Sequence, residues 1–163
     1  MEIHNGGIFH ASRTHLDRLD RTQQHFLDEL GISAEEAFLN FNFAPPILRR
    51  HIGILGLLHK RVLGKAHPIF QKLLSFHADV FGSLCPGEHS KQLYSHILEV
   101  HHQYSLYDRS IFAMTNVYNR LDQEVVDIGS ISVFQKRLTR IAKQACANGD
   151  TNWMSLFESR RPS

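Results

Sequence analysis

The chain has 163 residues, 42% of them hydrophobic and 21% charged, with a formal net charge of +2. That composition suits one globular domain with a real core, and it excludes a collagen-like or disordered chain. Only Cys85 and Cys146 are available for pairing, which excludes a disulfide framework and points to a reducing compartment. No apolar run approaches the roughly 20 residues of a membrane span, and Met1–Arg13 lacks an apolar signal core.

Helical periodicity dominates in chain order, with no internal repeat. The first predicted helix spans about Ser12 to Leu30, with a stripe of Leu16, Leu19, Phe26, Leu27 and Leu30 and with Gly31 as its stop. Ser33-Ala-Glu-Glu36 reads as a capping box for a second helix carrying Ala37, Phe38 and Phe41. Pro45-Pro46 opens the strongest helix, Ile47 to Leu63, with Pro46 suited to its first turn. Gly53 and Gly56 lie inside it. Each costs roughly 1 kcal/mol relative to alanine, which predicts close approach by another helix or by a phosphate backbone, the helix being the commoner use.

His67-Pro68 begins a short helix to about Phe76 or Phe81. Gly82 to Lys91 is the clearest loop, and Gln92 to Tyr104 is either extended or a frayed helix. Helix returns at about Tyr107 to Leu121, and Ser130 caps another, Ile131 to Ala147, ended by Gly149. Asp150 begins a last short helix bearing Trp153, Leu156 and Phe157. The expected fold is therefore all-α, an irregular bundle of about five to seven helices with one longer loop near residues 82–104. Residues 12–81 and 105–159 supply its helices within a single segment.

Charge is unevenly distributed. Phe43 to Ala78 contains no acid but holds Arg49, Arg50, Lys60, Arg61, Lys65 and Lys72. Ile128 to Gly149 is also free of acid and holds Lys136, Arg137, Arg140 and Lys143. Such separation favours an anionic partner, nucleic acid first, against the bland alternative of solvated helix faces.

Signs of catalysis are few. There is no adjacent aspartate pair of the kind that holds polymerase metals, no GxxxxGK[ST] loop and no Gly-x-Ser-x-Gly elbow. Cys85, His89, His96 and His101 resemble a zinc-knuckle spacing, but a knuckle is cysteine-rich and loop histidines are common. His51 and His59, two turns apart, read as satisfied core histidines. Trp153, Phe157 and Tyr118 could stack on bases, although aromatics on an amphipathic stripe more often belong to the core. No cofactor and no enzymatic activity are expected.

Three stretches together resemble the segment downstream of the polymerase core in non-LTR retrotransposon reverse transcriptases. Ile8-Phe-His-Ala11, followed by Leu16-Asp-Arg-Leu-Asp-Arg-Thr-Gln-Gln-His-Phe-Leu27, is similar to a family helix in which "LDRVQ" leads toward a Leu-Gly turn. Ala44-Pro-Pro-Ile-Leu-Arg-Arg50 through His59-Lys-Arg-Val-Leu63 is similar to the proline-led, double-arginine entry into a long leucine-rich helix. Asp108-Arg-Ser-Ile-Phe112, Tyr118-Asn-Arg-Leu121, Val125-Val126 and Phe134-Gln-Lys-Arg-Leu138 resemble the terminal signature. Tyr118 stands where the family usually has tryptophan, and Asp122 where it has proline. The resemblance implies a detached, non-catalytic, intracellular segment of an RNA-directed DNA polymerase. Its partners would be an RNA or DNA backbone and an upstream polymerase core, not a membrane. The alternative is a helical interaction module, or an inert truncated copy, without a nucleic-acid role. The oligomeric state stays open.

Overall fold

The computed structural model describes residues 11–82, 89–96 and 110–158. It is mostly helical, with one two-stranded antiparallel sheet. The elements are α1 (Arg13–Leu30), α2 (Ala34–Phe41), α3 (Pro46–Val62), α4 (Pro68–Leu73), β1 (Leu74–Phe76), α5 (His77–Phe81), β2 (Leu93–Ser95), α6 (Thr115–Tyr118), α7 (Gln123–Val126) and α8 (Ile131–Ala147). A 3-10 turn, Trp153–Ser155, follows. Eight helices among the described residues exceed the expected five to seven because α6 and α7 are single turns and α4 and α5 are scarcely longer. Two compact units result. One holds the described residues up to Gly53 together with Leu138–Phe157, and the other holds those of Ile54–Arg137 and Glu158. The unit boundaries fall inside α3 and α8.

In the first unit, α1 stops at Gly31, whose φ of 66° is left-handed. The Gly31 N–H donates to the Asp28 carbonyl and the Ile32 N–H to the Leu27 carbonyl, which closes the last turn. Ser33 starts α2, its hydroxyl accepting from the Glu36 N–H at 3.0 Å. The reciprocal Glu36 arm of the box does not close among the described residues. Ser33→Ala is therefore expected to cost about 1 kcal/mol, read as a lowered urea midpoint with an unchanged m-value.

The core of this unit is Leu16, Leu27, Phe38, Leu48, Ile52, Leu138, Ala142, Trp153 and Phe157. Phe38 and Trp153 stack at 5.1 Å with planes 8° apart. The predicted α1 stripe is only partly interior: Leu16 and Leu27 are buried, but Leu19, Phe26 and Leu30 are 45%, 51% and 54% exposed. Phe41, placed on the α2 stripe, is 64% exposed.

The second unit corrects the expectation of continuous helix through Phe76, and at Leu93–Ser95 it takes the extended one of the two alternatives read for Gln92 to Tyr104. β1 pairs with β2 in the register Leu74↔Ser95, Ser75↔Tyr94 and Phe76↔Leu93. Burial of Leu74 and Leu93 stabilises this excursion. Asn119 pins β2, accepting from the Leu93 N–H at 2.8 Å and donating to its carbonyl at 2.9 Å. Arg61 supports β1, its Nε donating to the Leu74 carbonyl at 2.9 Å. A three-residue strand has no periodicity of its own to read, and its paired residues lie 17 to 21 positions further along the chain.

The helix expected from Tyr107 to Leu121 is, from Ser110 on, a series of turns containing the single helical turn α6. Residues 107–109 lie outside the described part. The Ser110 hydroxyl accepts from the Phe112 and Ala113 N–H groups and so competes with helix propagation. α8 has the predicted bounds. Its first turn is started by the Ser130 carbonyl, which accepts from the Phe134 N–H, while the Ser130 hydroxyl bonds to that of Ser132.

Candidate nucleic-acid interface

α8 is the most strongly sided basic element. Phe134, Leu138, Ala142 and Cys146 are buried along one face. Its helical spacing sets Lys136 and Arg140 on the opposite side, with Arg137 and Lys143 on the half-buried flanks. Lys136 and Arg140, one turn apart, are exposed. They make no side-chain hydrogen bond or ion pair among the described residues. Lys143 is partly engaged, donating to the Leu39 carbonyl at 3.2 Å and lying 5.5 Å from the centre of the Phe38 ring.

The cations of α3 divide. Lys60, and Lys65 just beyond the helix, are exposed. Arg49 is exposed but donates to the Gln23 side chain at 3.0 Å and lies 5.8 Å over the Phe43 ring. Arg61 is half-buried, with its guanidinium 4.9 Å over Phe76. Arg50 is only 8% exposed and forms a bidentate pair with Asp20, at 3.0 and 2.8 Å. Its charge is spent inside the first unit, joining α3 to α1. Sequence reasoning did not find Asp20 as a partner, since it lies 30 residues upstream.

Gly56 meets the expectation of close helix approach. An added Cβ there would run into the Gln135 amide on α8, with its Cδ at 3.0 Å and Cγ at 3.2 Å. Gly53 has open space around its Cβ position. Trp153, Phe157 and Tyr118, considered as base-stacking surfaces, are all buried.

His59 is fully buried in the second unit and stacks on Phe134 at 4.0 Å with planes 4° apart. Its Nε2–H donates to the Ile128 carbonyl at 2.6 Å, which leaves Nδ1 to accept from the Tyr118 hydroxyl at 3.0 Å. Burial lowers the His59 pKa and raises that of Tyr118. His59 is thus the satisfied core histidine expected. His51 is not, because its buried Nδ1 has no partner among the described residues. Burial first, then the neighbouring Arg50 charge, lowers the His51 pKa to about 4, against an opposing pull from Asp20.

Both histidines are neutral in the fold and bind protons more readily when unfolded. Stability is full above the unfolded pKa of roughly 6.5 and declines as pH falls toward 4, where the His51 contribution is gone. About 2 kcal/mol is the expected loss between pH 7 and 4, after allowance for the partial exposure of His51, measured as urea midpoints across that range.

Of the zinc-knuckle candidates, Cys85 and His101 lie outside the described residues. His89 is buried with both ring nitrogens engaged, Nε2 with the Tyr118 carbonyl at 2.9 Å and Nδ1 with the Lys91 N–H at 3.0 Å. His96 is exposed and bonds Ser75 through Nε2 at 2.7 Å. Among the described residues, no three His, Cys, Asp or Glu side chains converge on a metal position. No described helix is long and apolar enough to cross a membrane. Comparison with protein-family models, curated proteins and solved structures finds no match to this chain.

Proposed function

We propose that the chain is a non-catalytic nucleic-acid-binding segment that works beside the polymerase core of a retrotransposon-type RNA-directed DNA polymerase. The observation that carries the reading is the acid-free face of α8. It presents Lys136 and Arg140 without side-chain partners among the described residues, opposite an unbroken buried stripe. Lys60 and Lys65 add exposed charge at the end of α3. Point cations on a helix face suit phosphate contacts, which position a strand without reading its bases. The resemblance of the Leu16–Leu27, Ala44–Leu63 and Asp108–Leu138 stretches to that family supplies the polymerase context. Arg50 is left out of the interface because Asp20 already neutralises it.

Fluorescence anisotropy with a labelled single-stranded RNA and a nicked DNA duplex tests the reading. With about four phosphates neutralised, affinity is expected to fall on the order of 100-fold between 50 and 200 mM salt. The double substitution Lys136→Glu/Arg140→Glu should weaken binding about tenfold or more and flatten the salt slope by about two contacts. Absent binding at low salt, or binding indifferent to salt, sinks the proposal.

A further inference from the structure

The exposed apolar side chains of α1 form a second stripe, set off from its buried one. Leu19, Phe26 and Leu30 follow one another at seven and four residues, so they share a single helix face over about three turns. Each is about half exposed. Phe43 widens the strip, its ring edge-on to Phe26 at 6.2 Å. Three large side chains open to water in register along about three turns of one helix are costly unless something covers them.

The charges beside the stripe identify the cover. Arg18 and Glu29 are exposed, and neither makes an ion pair among the described residues. They are 11 residues apart, as are Leu19 and Leu30, so they lie about 20° apart on the same edge of the stripe. When a helix packs antiparallel on its own copy, each edge meets the same edge of the other helix, running the opposite way. A basic residue at one end of an edge and an acidic residue at the other are then self-complementary.

We propose that α1 is a self-association helix. Two copies of this chain pack antiparallel through Leu19, Phe26 and Leu30, with Arg18 of each copy paired to Glu29 of the other. Leu19 faces Leu30 of the opposite copy, and the two Phe26 rings meet across the dyad. The contact does not depend on the nucleic-acid reading, since α8 contributes nothing to it. One helix face falls short of the roughly 800 Å² per partner of a standard interface, so the dimer is weak, with a dissociation constant of about 10–100 µM.

Sedimentation equilibrium of the full chain across that range should show reversible dimerisation. Arg18→Glu alone, and Glu29→Arg alone, should each weaken it about tenfold. The double swap Arg18→Glu/Glu29→Arg should return it to within about threefold of the starting value. The two positions are about 16 Å apart within one helix, too far for the rescue to arise inside a single chain. Phe26→Ser should abolish association with its melting temperature nearly unchanged.

A monomer throughout the range overturns the proposal. So does a dimer indifferent to the single swaps, which would place the interface elsewhere, and so does a double swap that fails to rescue. Early melting of Phe26→Ser also overturns it, because the stripe would then be covered from within the chain.

Discussion

His59→Ala is expected to destabilise the protein by about 4 kcal/mol, the largest loss predicted for any single substitution here. Three separate losses contribute. The imidazole is fully buried against Phe134, so its removal leaves a cavity and ends a 4.0 Å stack. The Ile128 carbonyl loses the Nε2–H donor at 2.6 Å. The Tyr118 hydroxyl, in a fully buried residue, loses its acceptor at 3.0 Å. Buried groups left without partners cost about 1–3 kcal/mol each in principle, and relaxation recovers part of that. Against a typical total of 5–15 kcal/mol, this is a large share.

Tyr118→Phe isolates one arm of the network, since it keeps the ring and removes only the hydroxyl, and about 1–2 kcal/mol is expected. Urea unfolding of both variants checks the ordering. Equal midpoints would show that the Tyr118 hydroxyl bond, and not the stack, the cavity or the Ile128 bond, accounts for the whole effect.

The second large effect is expected at Asp20. Asp20→Ala strips the partner from a guanidinium only 9% exposed in its side chain, and about 2–3 kcal/mol should be lost. The Asp20 side chain itself is 31% exposed, which holds the figure below that of a wholly interior pair. The double replacement Asp20→Leu/Arg50→Met removes both charges and keeps apolar volume, so it should be nearly neutral. A thermodynamic cycle of Asp20→Leu, Arg50→Met and their combination measures the pair itself, with a coupling of about 2 kcal/mol expected. Nucleic-acid affinity should be unchanged in the double variant, because Arg50 presents no free charge to a phosphate.

Elements with strong periodicity and their own punctuation were legible in the sequence. α1, α3 and α8 each run four turns or more on an apolar stripe, and the stops at Gly31 and Gly149 follow from left-handed backbone that glycine adopts without strain. The basic side of α8 was legible for the same reason: a helix opposes its polar residues to its buried ones by spacing alone.

Where a structure depends on residues far away in the chain, local pattern gave no sign of it. β1 is extended because β2 and Arg61 supply its partners, and Leu74 viewed alone is one more leucine at the end of a helix. Arg50 looks like any other basic residue of α3 until Asp20 closes on it from α1. His51 and His59, two turns apart on one helix, could not be told apart in sequence. Tertiary neighbours gave His59 a hydroxyl and a carbonyl, and left the His51 Nδ1 with none among the described residues. In the first helix, periodicity identified Leu16, Leu19, Phe26, Leu27 and Leu30 as apolar. Which of them faces the interior depends on where α2 and α3 lie against it, and only folding decided that Leu16 and Leu27 are buried while the other three face water.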